Sequence, residues 1–456
     1  MRKIIITNFR CYEEKTMSFR RSINLLIGDN SVGKTSLLRA CNLIINAFFS
    51  GYSDENTVWK SAANDDFRER RSEDIVDTDL PIKITFWLDK SDCPDIVLED
   101  GTTKSLQSNE PEAKAECARF YIEKKSKKNA RNLITGINTL KDFASSLQNS
   151  SHIIVDGKAV QKNALPLFAY FTTEDIHTTR KFDKEKKKFK KYPQKPSFGY
   201  FESYDSKGLL DCWLKRLLVL KEAKKGEQEI ECVRKAVISA LGPSGCNIID
   251  NFEIRHNDGN VFFHYCDGRE VRSDLLSDGY RRLVSIVVDL AFRCALLNKV
   301  MYGDEAFKLT HGTVIIDEID EHLHPDLQVR ILKALHETFP KLQLIVSTHA
   351  PLVMSSVENN ENNVVYRLDY KDGKYSHTEV DTYGLDANLL LKERMKVSVR
   401  DIKTSSLFEQ LDDYLKNKDI EHAKSVLYEL ENLTDPQQPE LVRVRAIINR
   451  LELIGK

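Results

Sequence analysis

Short apolar runs, each ending in polar residues or glycine, mark the strands of the predicted core. The runs at 23–27 and 165–171 are typical of fully buried strands. The runs at 313–316 and 342–346 have the same character, and a helix-forming segment at about 325–339 separates them. Strands that alternate with helices in this way predict an α/β fold with a parallel sheet.

Other segments depart from this alternation. Residues 81–89 and 117–125 have strand patterns but no helix between them, which predicts an antiparallel flank to the sheet. Residues 207–241 have a helical pattern, and "NDGN" at 257–260 predicts a hairpin turn between two strands. From Gly384 onward the chain is charged, and its apolar residues recur at helix spacing, which predicts a helical tail.

Composition narrows the class of protein. The 456 residues predict two to four domains, or one large domain with insertions. Lysine and arginine nearly cancel the acids, for a net charge of −1, so only a local patch could attract nucleic acid. Nine cysteines without C-x-x-C spacing favour a reducing compartment, and no apolar run is long enough for a membrane span. We therefore expect a soluble, cytoplasmic protein that does not bind a membrane.

The stretch "GDNSVGKT" at 28–35 fits the phosphate-loop pattern G-x-x-x-x-G-K-[ST]. It follows a buried strand and opens a helix predicted at 34–49, which is the context that the motif requires. Gly28 and Gly33 would let the backbone turn so that its N–H groups cradle a phosphate. Lys34 would reach the β- and γ-phosphates of ATP, and the Thr35 hydroxyl would bind Mg²⁺.

Two acids end the strand at 313–316. Asp317 and Glu318 would lie at the carboxyl edge of the sheet, where open α/β sheets bind their ligands. Asp317 would hold Mg²⁺ through water, and Glu318 would act as the general base on the attacking water. An acidic pair at the start of a helix is the alternative, and the nearby phosphate loop favours the functional interpretation.

A histidine ends the next strand, "LIVSTHA" at 344–350. One helix and one adjacent parallel strand would bring His349 beside Asp317 and Glu318, where it can contact the γ-phosphate or orient the water. "EHLHP" at 321–325 contains two histidines without the i, i+4 spacing of a helical zinc pair. We interpret that stretch as a turn into the next helix.

A polar helix head, "LSDG" at 276–279, precedes a long apolar helical stretch. Ser277 could cap that helix and Gly279 could be a first-turn residue. Alternatively, the unpaired N–H groups at this helix end would bind an anion. The motif by itself does not separate these two interpretations.

These motifs, in this order, resemble those of ABC-type ATPases, and more narrowly the SMC/RecF-like branch. "ITNFRCYE" at 6–13 resembles the first strand and loop of that branch. The resemblance implies a homodimer or higher homo-oligomer in which Ser277 and Gly279 cap the γ-phosphate bound by the partner copy. The cofactor-binding residues that it implies are Arg10, Gly28, Asn30, Ser31, Gly33, Lys34, Thr35, Ser36, Ser277 and Gly279.

The chain departs from the family pattern at several positions. Ser31 and Asp278 stand where relatives often have glycine. His324 stands where many ABC ATPases have an aspartate that communicates between the two sites. No glutamine of the usual Gln-loop can be assigned, although Thr172 to Asp175 follow the corresponding strand.

A closer resemblance is carried by "DEIDEHLHP", "FPKLQLIVSTHAP" and "YGLDANLLLKERM" with its charged helical tail. These segments look like the ATPase subunit of bacterial Septu-type anti-phage systems, which also has relatives in some retrons. The resemblance implies a partner, an HNH-type nuclease subunit. We predict that the tail presents a docking surface for it, in addition to packing of its apolar positions.

A basic stretch at 180–195 has nine lysines and arginines against two acids, with Phe182, Phe189 and Tyr192 interleaved. Residues 180–199, with this lysine run, two prolines and Gly199, break the pattern of the core and predict a surface loop. The basic stretch could contact nucleic acid or be a solvated loop, and the sequence favours neither.

The predicted architecture is therefore an α/β ATPase head of ABC/SMC type with a mixed sheet, an inserted helical region and an all-α tail. We divide it into an N-terminal lobe at 1–165, an insert at 166–270, a C-terminal lobe at 271–383 and the tail at 384–456. The predicted function is that of a dimerising ATPase that hydrolyses ATP and regulates or scaffolds a nuclease subunit in anti-phage defence. A RecF-like repair ATPase that acts on DNA is the alternative; a transporter ATPase and a non-hydrolysing binding module fit less well.

Overall fold

The structure is a computed structural model that forms two compact units, Met1–Leu385 and Asp386–Lys456. It describes residues 1–68, 70–71, 76–77, 80–108, 117–128, 131–133, 135–155, 158–173, 186–189, 191–206, 208–394, 401–417 and 419–454.

The strands, in chain order, are β1 Lys3–Phe9, β2 Tyr12–Ser18, β3 Ile23–Ile27, β4 Arg70–Arg71, β5 Val76–Asp77, β6 Ile82–Leu88, β7 Ile96–Val97, β8 Thr103–Lys104, β9 Ala118–Lys124, β10 His152–Val155, β11 Lys158–Gln161, β12 Leu167–Phe171, β13 Ile249–Arg255, β14 Asn260–Tyr265, β15 Glu270–Arg272, β16 Gly312–Ile316, β17 Leu342–Ser347, β18 Val364–Lys371 and β19 Lys374–Glu379.

The helices are α1 Lys34–Ala47, α2 Asn138–Ser150, α3 Lys186–Phe189, α4 Leu210–Glu222, α5 Glu227–Leu241, α6 Asp278–Tyr302, α7 Ala306–Leu309, α8 Pro325–Thr338, α9 Pro351–Met354, α10 Ala387–Leu389, α11 Ile402–Lys416, α12 Ile420–Leu433 and α13 Pro439–Ile454.

A six-stranded sheet in the order β12-β16-β17-β3-β18-β19 forms the core of the first unit. All neighbours are parallel except β18 and β19, which form an antiparallel hairpin. Every residue of β3, β12 and β17 is buried, which is the burial expected of parallel strands with both faces covered. The carboxyl ends of β16, β17 and β3 therefore lie side by side at one edge.

The predicted antiparallel flank is confirmed. Strands β6 and β9 pair antiparallel, and β1 and β2 complete a sheet in the order β2-β1-β6-β9. The predicted α/β class with a mixed sheet and a helical tail is likewise what the chain forms. The sequence patterns did not reveal that β1 and β2 belong to this flank, nor that β18 and β19 extend the core sheet.

The prediction of one surface loop at 180–199 is wrong for the part that the structure describes. Residues 186–189 form α3, and Pro196–Tyr200 form a 3₁₀ helix. Phe189 and Phe198 are buried, with their ring centroids 5.0 Å apart, and Phe189 packs on Trp213 at 4.9 Å. The burial of these aromatic rings stabilises an ordered packing of this segment in spite of its many lysines. Residues 180–185, with Phe182, and residue 190 lie outside the described residues.

The helical pattern at 207–241 corresponds to two helices. The residues of α4 and α5 are separated at Gly226, whose φ of 67° is left-handed and which therefore interrupts a continuous helix. The predicted hairpin turn at 257–260 is confirmed, because β13 and β14 pair antiparallel on either side of it.

The second unit has a core of its own. Buried residues from α11, α12 and α13 form one apolar cluster, and Leu415 and Val426 pack against it. The cluster consists of Leu407, Leu411, Ala423, Leu427, Leu430, Leu441, Val444 and Ile448. The apolar spacing of the tail is thus explained by three helices that bury their faces on one another. The finer division of the first unit at 165 and 270 stays a prediction.

Candidate functional site

The loop between β3 and α1 has the backbone shape of an anion cradle. Gly28, Ser31 and Gly33 all have positive φ, at 141°, 68° and 95°. A Cβ added at Gly33 would lie 2.4 Å from the Tyr12 hydroxyl oxygen, and that hydroxyl donates to the Gly33 carbonyl at 3.0 Å. Glycine is required there both by conformation and by the close approach of Tyr12. Asn30 and Ser31 are exposed on the loop.

Lys34 lies inside this loop. Its Nζ donates to the carbonyl oxygens of Gly28 at 2.8 Å and Asp29 at 2.9 Å, and the side chain is buried. Burial lowers the pKa of Lys34 to about 8, and the charges of Asp317 and Glu318 oppose that shift. A desolvated ammonium that donates to neutral carbonyl oxygens is a group that an incoming anion would stabilise.

The two acids after β16 are fixed by the end of β17. Asp317 is buried, and its Oδ1 accepts a 2.5 Å hydrogen bond from the Ser347 hydroxyl. The same hydroxyl oxygen accepts from the Glu318 N–H at 2.8 Å. Glu318 itself has a φ of 48°, and burial and then the charge of Asp317 raise the pKa of its carboxyl. A carboxyl with a raised pKa is a better proton acceptor once ionised.

His349 lies beside Glu318, as its position in the sequence predicted. Its Nε2 is 3.9 Å from Glu318 Oε1, and its backbone N–H donates to Asp320 Oδ1 at 3.2 Å. The Thr348 hydroxyl donates to the same aspartate oxygen at 2.5 Å, so Asp320 holds this strand end in place. Burial, and then the charge of Lys34, lower the pKa of His349, so the neutral imidazole is favoured.

A polar cavity of about 450 Å³ opens beside the loop. Thr35 and Asp317 both line it, and a hydroxyl and a carboxylate are oxygen donors of the kind that Mg²⁺ prefers. Arg10, Arg39 and Lys60 supply positive charge to the same cavity. The donor set therefore fits a magnesium ion with an anionic ligand. Ser36, next to Thr35, is half-buried at the start of α1.

Arg10 lines the cavity and also lies close to two acids. Its φ is 50°, and its side chain lies 3.6 Å from both Asp65 and Asp66. Asp66 is fully buried and also pairs with Arg39 at 2.5 Å. The structure thus places the arginine predicted from the first loop at the wall of the candidate site.

At the helix head at 276–279, Ser277 and Asp278 are exposed, whereas Leu276 is buried. Ser277 occupies the N-cap position of α6, but its side chain makes no capping hydrogen bond. Leu275, two residues earlier, has 66% of its surface exposed. Gly279 faces inward, because a Cβ there would lie 2.4 Å from the His322 carbonyl oxygen. Ser277 is thus the N-cap by position but makes no side-chain capping bond, and Gly279 is a first-turn residue with a packing reason of its own.

Arg282 is a site residue that the sequence motifs did not identify. It is buried on the second turn of α6, and its guanidinium donates to the carbonyl oxygens of Asp317 at 2.8 Å and Glu318 at 3.2 Å. It also donates to the Thr172 carbonyl at 3.2 Å and lies 3.4 Å from Glu321. The sequence did contain a sign of this role, because Arg282 stands only three residues after Gly279, where the apolar helix begins. An arginine that is buried in such a helix needs several hydrogen-bond acceptors.

The remaining sequence predictions near the site have separate outcomes. His324 is the N-cap of α8 and accepts from the Asp326 N–H at 3.4 Å, which confirms the turn interpretation of "EHLHP". Thr172 and Thr173 line the cavity at the Gln-loop position, and residues 174 and 175 lie outside the described residues. Phe189 is buried and cannot stack on a base, whereas Tyr192 is 36% exposed.

A protein-family comparison matches residues 1–354 to the AAA ATPase domain. The chain belongs to the AAA ATPase domain family. The phosphate loop, the Asp317–Glu318 strand end and His349 all fall within the matched residues, as does the helix head at Ser277. Within the part of the chain that the structure describes, no helix combines the length and apolar character needed to cross a bilayer.

Curated relatives include probable ATPases of retrons and proteins of Septu systems. The chain is 40% identical over 105 residues to the retron Vc95 probable ATPase of Vibrio cholerae serotype O1 biovar El Tor, covering 23% of this chain and 20% of the relative. It is 29% identical over 147 residues to Septu protein PtuA of Bacillus mycoides (strain KBAB4), covering 32% and 19%. It is 22% identical over 204 residues to Septu protein PtuA of Bacillus thuringiensis, covering 42% and 47%. The chain thus spans less than half the length of each of these relatives.

The resemblance to Septu-type and retron ATPases is thereby confirmed. The chain is also similar to a solved SMC head bound to the C-winged helix domain of ScpA, with 14% identity, a TM-score of 0.45 and coverage of 83% of this chain and 97% of that one. The recombination mediator protein RecF gives 13% identity, a TM-score of 0.37 and coverage of 82% and 97%.

Proposed function

We propose that this protein binds and hydrolyses ATP at sites shared between two copies, and that it regulates an HNH-type nuclease subunit in anti-phage defence. The observation that carries the proposal is the meeting of Lys34, Asp317, Glu318 and His349 at one edge of the core sheet. The family membership and the Septu relatives support it.

The ATP site uses the groups at that edge. The N–H groups of the loop and Lys34 bind the β- and γ-phosphates, and Arg10 adds positive charge at the cavity wall. Thr35 and Asp317 hold Mg²⁺, which when bound offsets the charge of the phosphates. Glu318 accepts the proton of the attacking water, and His349 orients that water or contacts the γ-phosphate.

The second copy completes the site. The exposed Ser277 hydroxyl at the head of α6 makes no capping bond within its own chain, which suits it to an anion presented from outside. Leu275 beside it is an exposed large apolar residue of the kind that an interface buries. A two-fold arrangement places each helix head on the nucleotide of the other copy.

Complementation tests the shared site. Lys34→Ala removes phosphate binding, and Ser277→Arg blocks the helix head, so each variant alone should hydrolyse little ATP. Mixed dimers retain one complete site, so an equal mixture should recover a substantial part of the wild-type rate per intact site. Ser277→Ala is the matched control, since it removes the hydroxyl without adding bulk. If native mass spectrometry shows mixed dimers and the mixture still hydrolyses ATP no faster than either variant alone, the shared site would be contradicted.

The tail is the proposed docking unit for the nuclease subunit. The apolar positions that predicted docking are in fact used in the core of the tail. Among the side chains that the structure describes on α12 and α13, four other large apolar residues are exposed: Tyr428, Leu433, Val442 and Ile447. Tyr428, with 69% of its surface exposed, is the most open of them. We assign docking to this exposed set, because tyrosine is a typical anchor of interfaces and the exposed branched residues add apolar surface that a partner can bury.

Truncation and substitution together test docking. A chain that ends at Tyr383 should keep nucleotide binding and lose co-purification with the nuclease subunit. The full chain with Tyr428→Ala and Val442→Ser should show the same loss while its tail stays folded. Tyr383→Ala, which alters another residue with 60% of its surface exposed, outside the tail, is the control. Full co-purification of both altered chains would place the docking surface elsewhere.

A further inference from the structure

Two lysine-rich segments lie outside the ATP site. Residues 186–195 contain six lysines and no acid, and residues 221–225 contain three lysines and one glutamate. The first segment includes α3 and the described residues 191–195, and the second ends α4 and leads into α5. Neither segment takes part in the site described above.

The fold brings these segments together around Tyr192. The Lys225 Nζ lies 5.9 Å from the centre of the Tyr192 ring, and a Cβ on Gly226 would lie 3.3 Å from the same ring. Arg216 of α4 donates to the carbonyl oxygens of Phe189 and Lys191 at 3.2 and 3.1 Å, which ties the first segment to the second. The result is a lysine-tyrosine surface, formed by Lys191, Tyr192, Lys221, Lys224 and Lys225.

The lysines of this surface are not held in ion pairs within the part of the chain that the structure describes. In the ranges that the structure describes, none of its four lysines has a carboxylate oxygen within 4.0 Å, and all four side chains are exposed. Lys235 of α5, by contrast, pairs with Asp304 at 2.9 Å and Glu305 at 2.7 Å. An open groove of about 700 Å³ runs past Lys221, Lys224 and Lys225. Its other charged lining residues are Arg234 and the acids Glu227, Glu231 and Asp304.

We propose that the lysine-tyrosine surface binds a single-stranded nucleic acid. The ammonium groups of Lys221, Lys224 and Lys225 would contact successive phosphates, and the partly exposed ring of Tyr192 would stack on a base. A duplex would use only the lysines, because its bases are already stacked. The aromatic ring among the lysines therefore favours a single strand.

Buried ion pairs fasten this surface to α6. Arg216 contacts Glu229 at 2.7 Å, and Glu229 also pairs with Lys299, which projects from α6 and lies 5.7 Å from the Tyr192 ring. Further along the insert, Arg293 of α6 donates to the Gly199 and Phe201 carbonyl oxygens at 2.8 and 3.0 Å. Since Ser277 is the N-cap of α6, a nucleic-acid strand on this surface should alter ATP turnover. This last step rests on the proposed function; the binding itself does not.

Direct binding is measured with the full-length chain and fluorescein-labelled oligothymidine of about 30 nucleotides, by anisotropy at several salt concentrations. Lys221→Ala/Lys224→Ala/Lys225→Ala should weaken binding at least about tenfold and reduce the slope of log K against log salt by about 2. The matched control changes Lys90, Lys333 and Lys416 to alanine; these lysines are 75–77% exposed and lie elsewhere. Equal losses in both triple variants, or none in either, would overturn the proposal.

Tyr192 decides between a single strand and a duplex. Tyr192→Ala should weaken oligothymidine binding at least about fivefold, and Tyr192→Phe should restore it because the ring is kept. Equal wild-type affinity for a blunt duplex, with no effect of Tyr192→Ala, would overturn the single-strand assignment. Competition by polyglutamate as strong as that by unlabelled oligothymidine would instead assign the surface to an acidic protein segment.

The ATPase rate is a second measurement, independent of the binding measured by anisotropy. Oligothymidine should change the ATPase rate of the wild type and of the control triple variant, and leave that of the surface triple variant unchanged. If the wild type hydrolyses no ATP, the proposed function fails while the anisotropy result still decides the surface. Tight binding with no effect on a measurable ATPase rate would overturn the link to α6.

Discussion

Ser347 and Asp317 share a 2.5 Å hydrogen bond in which the serine hydroxyl donates to the carboxylate. The serine ends β17, and the aspartate follows β16, the neighbouring strand in the core sheet. The hydroxyl oxygen in turn accepts from the Glu318 N–H at 2.8 Å. One buried hydroxyl thus orients both acids of the proposed ATP site.

Ser347→Ala should therefore lower the ATPase rate by about 10- to 100-fold, the usual effect of removing a group that orients a ligand to a metal. Nucleotide affinity should change little, because the phosphate loop is untouched. Steady-state ATPase rates over a range of magnesium concentrations measure the effect. Ser356→Ala is the control, since that hydroxyl donates only to the Val353 carbonyl at 2.8 Å. A wild-type rate in Ser347→Ala would show that Asp317 and Glu318 hold their places without it.

Glu318→Gln should bind ATP and hydrolyse it about 10² to 10⁴ times more slowly, because an amide cannot accept the proton of the attacking water. Single-turnover hydrolysis and a separate ATP-binding titration distinguish the two effects. Glu321→Gln, three residues later, should retain most of the rate. Normal turnover in Glu318→Gln would exclude this residue as the general base.

Lys34 makes ATP binding dependent on pH. Its pKa is lowered to about 8 by burial, so the free protein loses this ammonium as pH rises through about 8. Phosphate stabilises the ammonium, so binding above that pH takes up a proton and the affinity for ATP falls. Calorimetry in two buffers of different ionisation enthalpy should show little proton uptake at about pH 7 and nearly one proton at about pH 9.

Lys34→Arg is the control for this pH effect, because a guanidinium stays charged throughout. This variant should bind ATP more weakly than the wild type, with the same low proton uptake at both pH values. Equal proton uptake by the wild type and by the Lys34→Arg variant at the higher pH would assign the titration to another group.

Arg282 should position the acids without touching the nucleotide. Arg282→Ala leaves the carbonyl oxygens of Asp317 and Glu318 without their charged donor, at a cost of about 1–3 kcal/mol for each buried acceptor left unpaired. We expect a lower kcat, an unchanged KM for ATP and a reduced Tm. Arg282→Lys should recover part of the Tm and less of the kcat, since one ammonium cannot span three carbonyls. Equal recovery of both quantities would indicate a purely structural role.

The sequence by itself determined the parts of this protein that depend on neighbouring residues. Glycines 28 and 33 specify a left-handed, close-packed turn between a buried strand and a helix, and Asp317 and Glu318 end a strand whose apolar run is visible in the chain. The distance from Glu318 to His349, one helix and one strand, was enough to predict that they meet. These features could be predicted because they depend on local backbone conformation and on short connections between neighbouring elements, and few three-dimensional arrangements satisfy either.

Only the tertiary structure decided which strands and surfaces meet across long separations. Strand β3 lies between β17 and β18, and the hairpin of β18 and β19 extends the sheet, although nothing in its own pattern requires this. Phe189 is buried on Trp213 in spite of its lysine neighbours, and Arg282 is buried because three carbonyl oxygens converge on it. The tail helices bury their apolar faces on one another. In each case a distant partner supplies the burial or the acceptor, and its identity is set by packing in three dimensions.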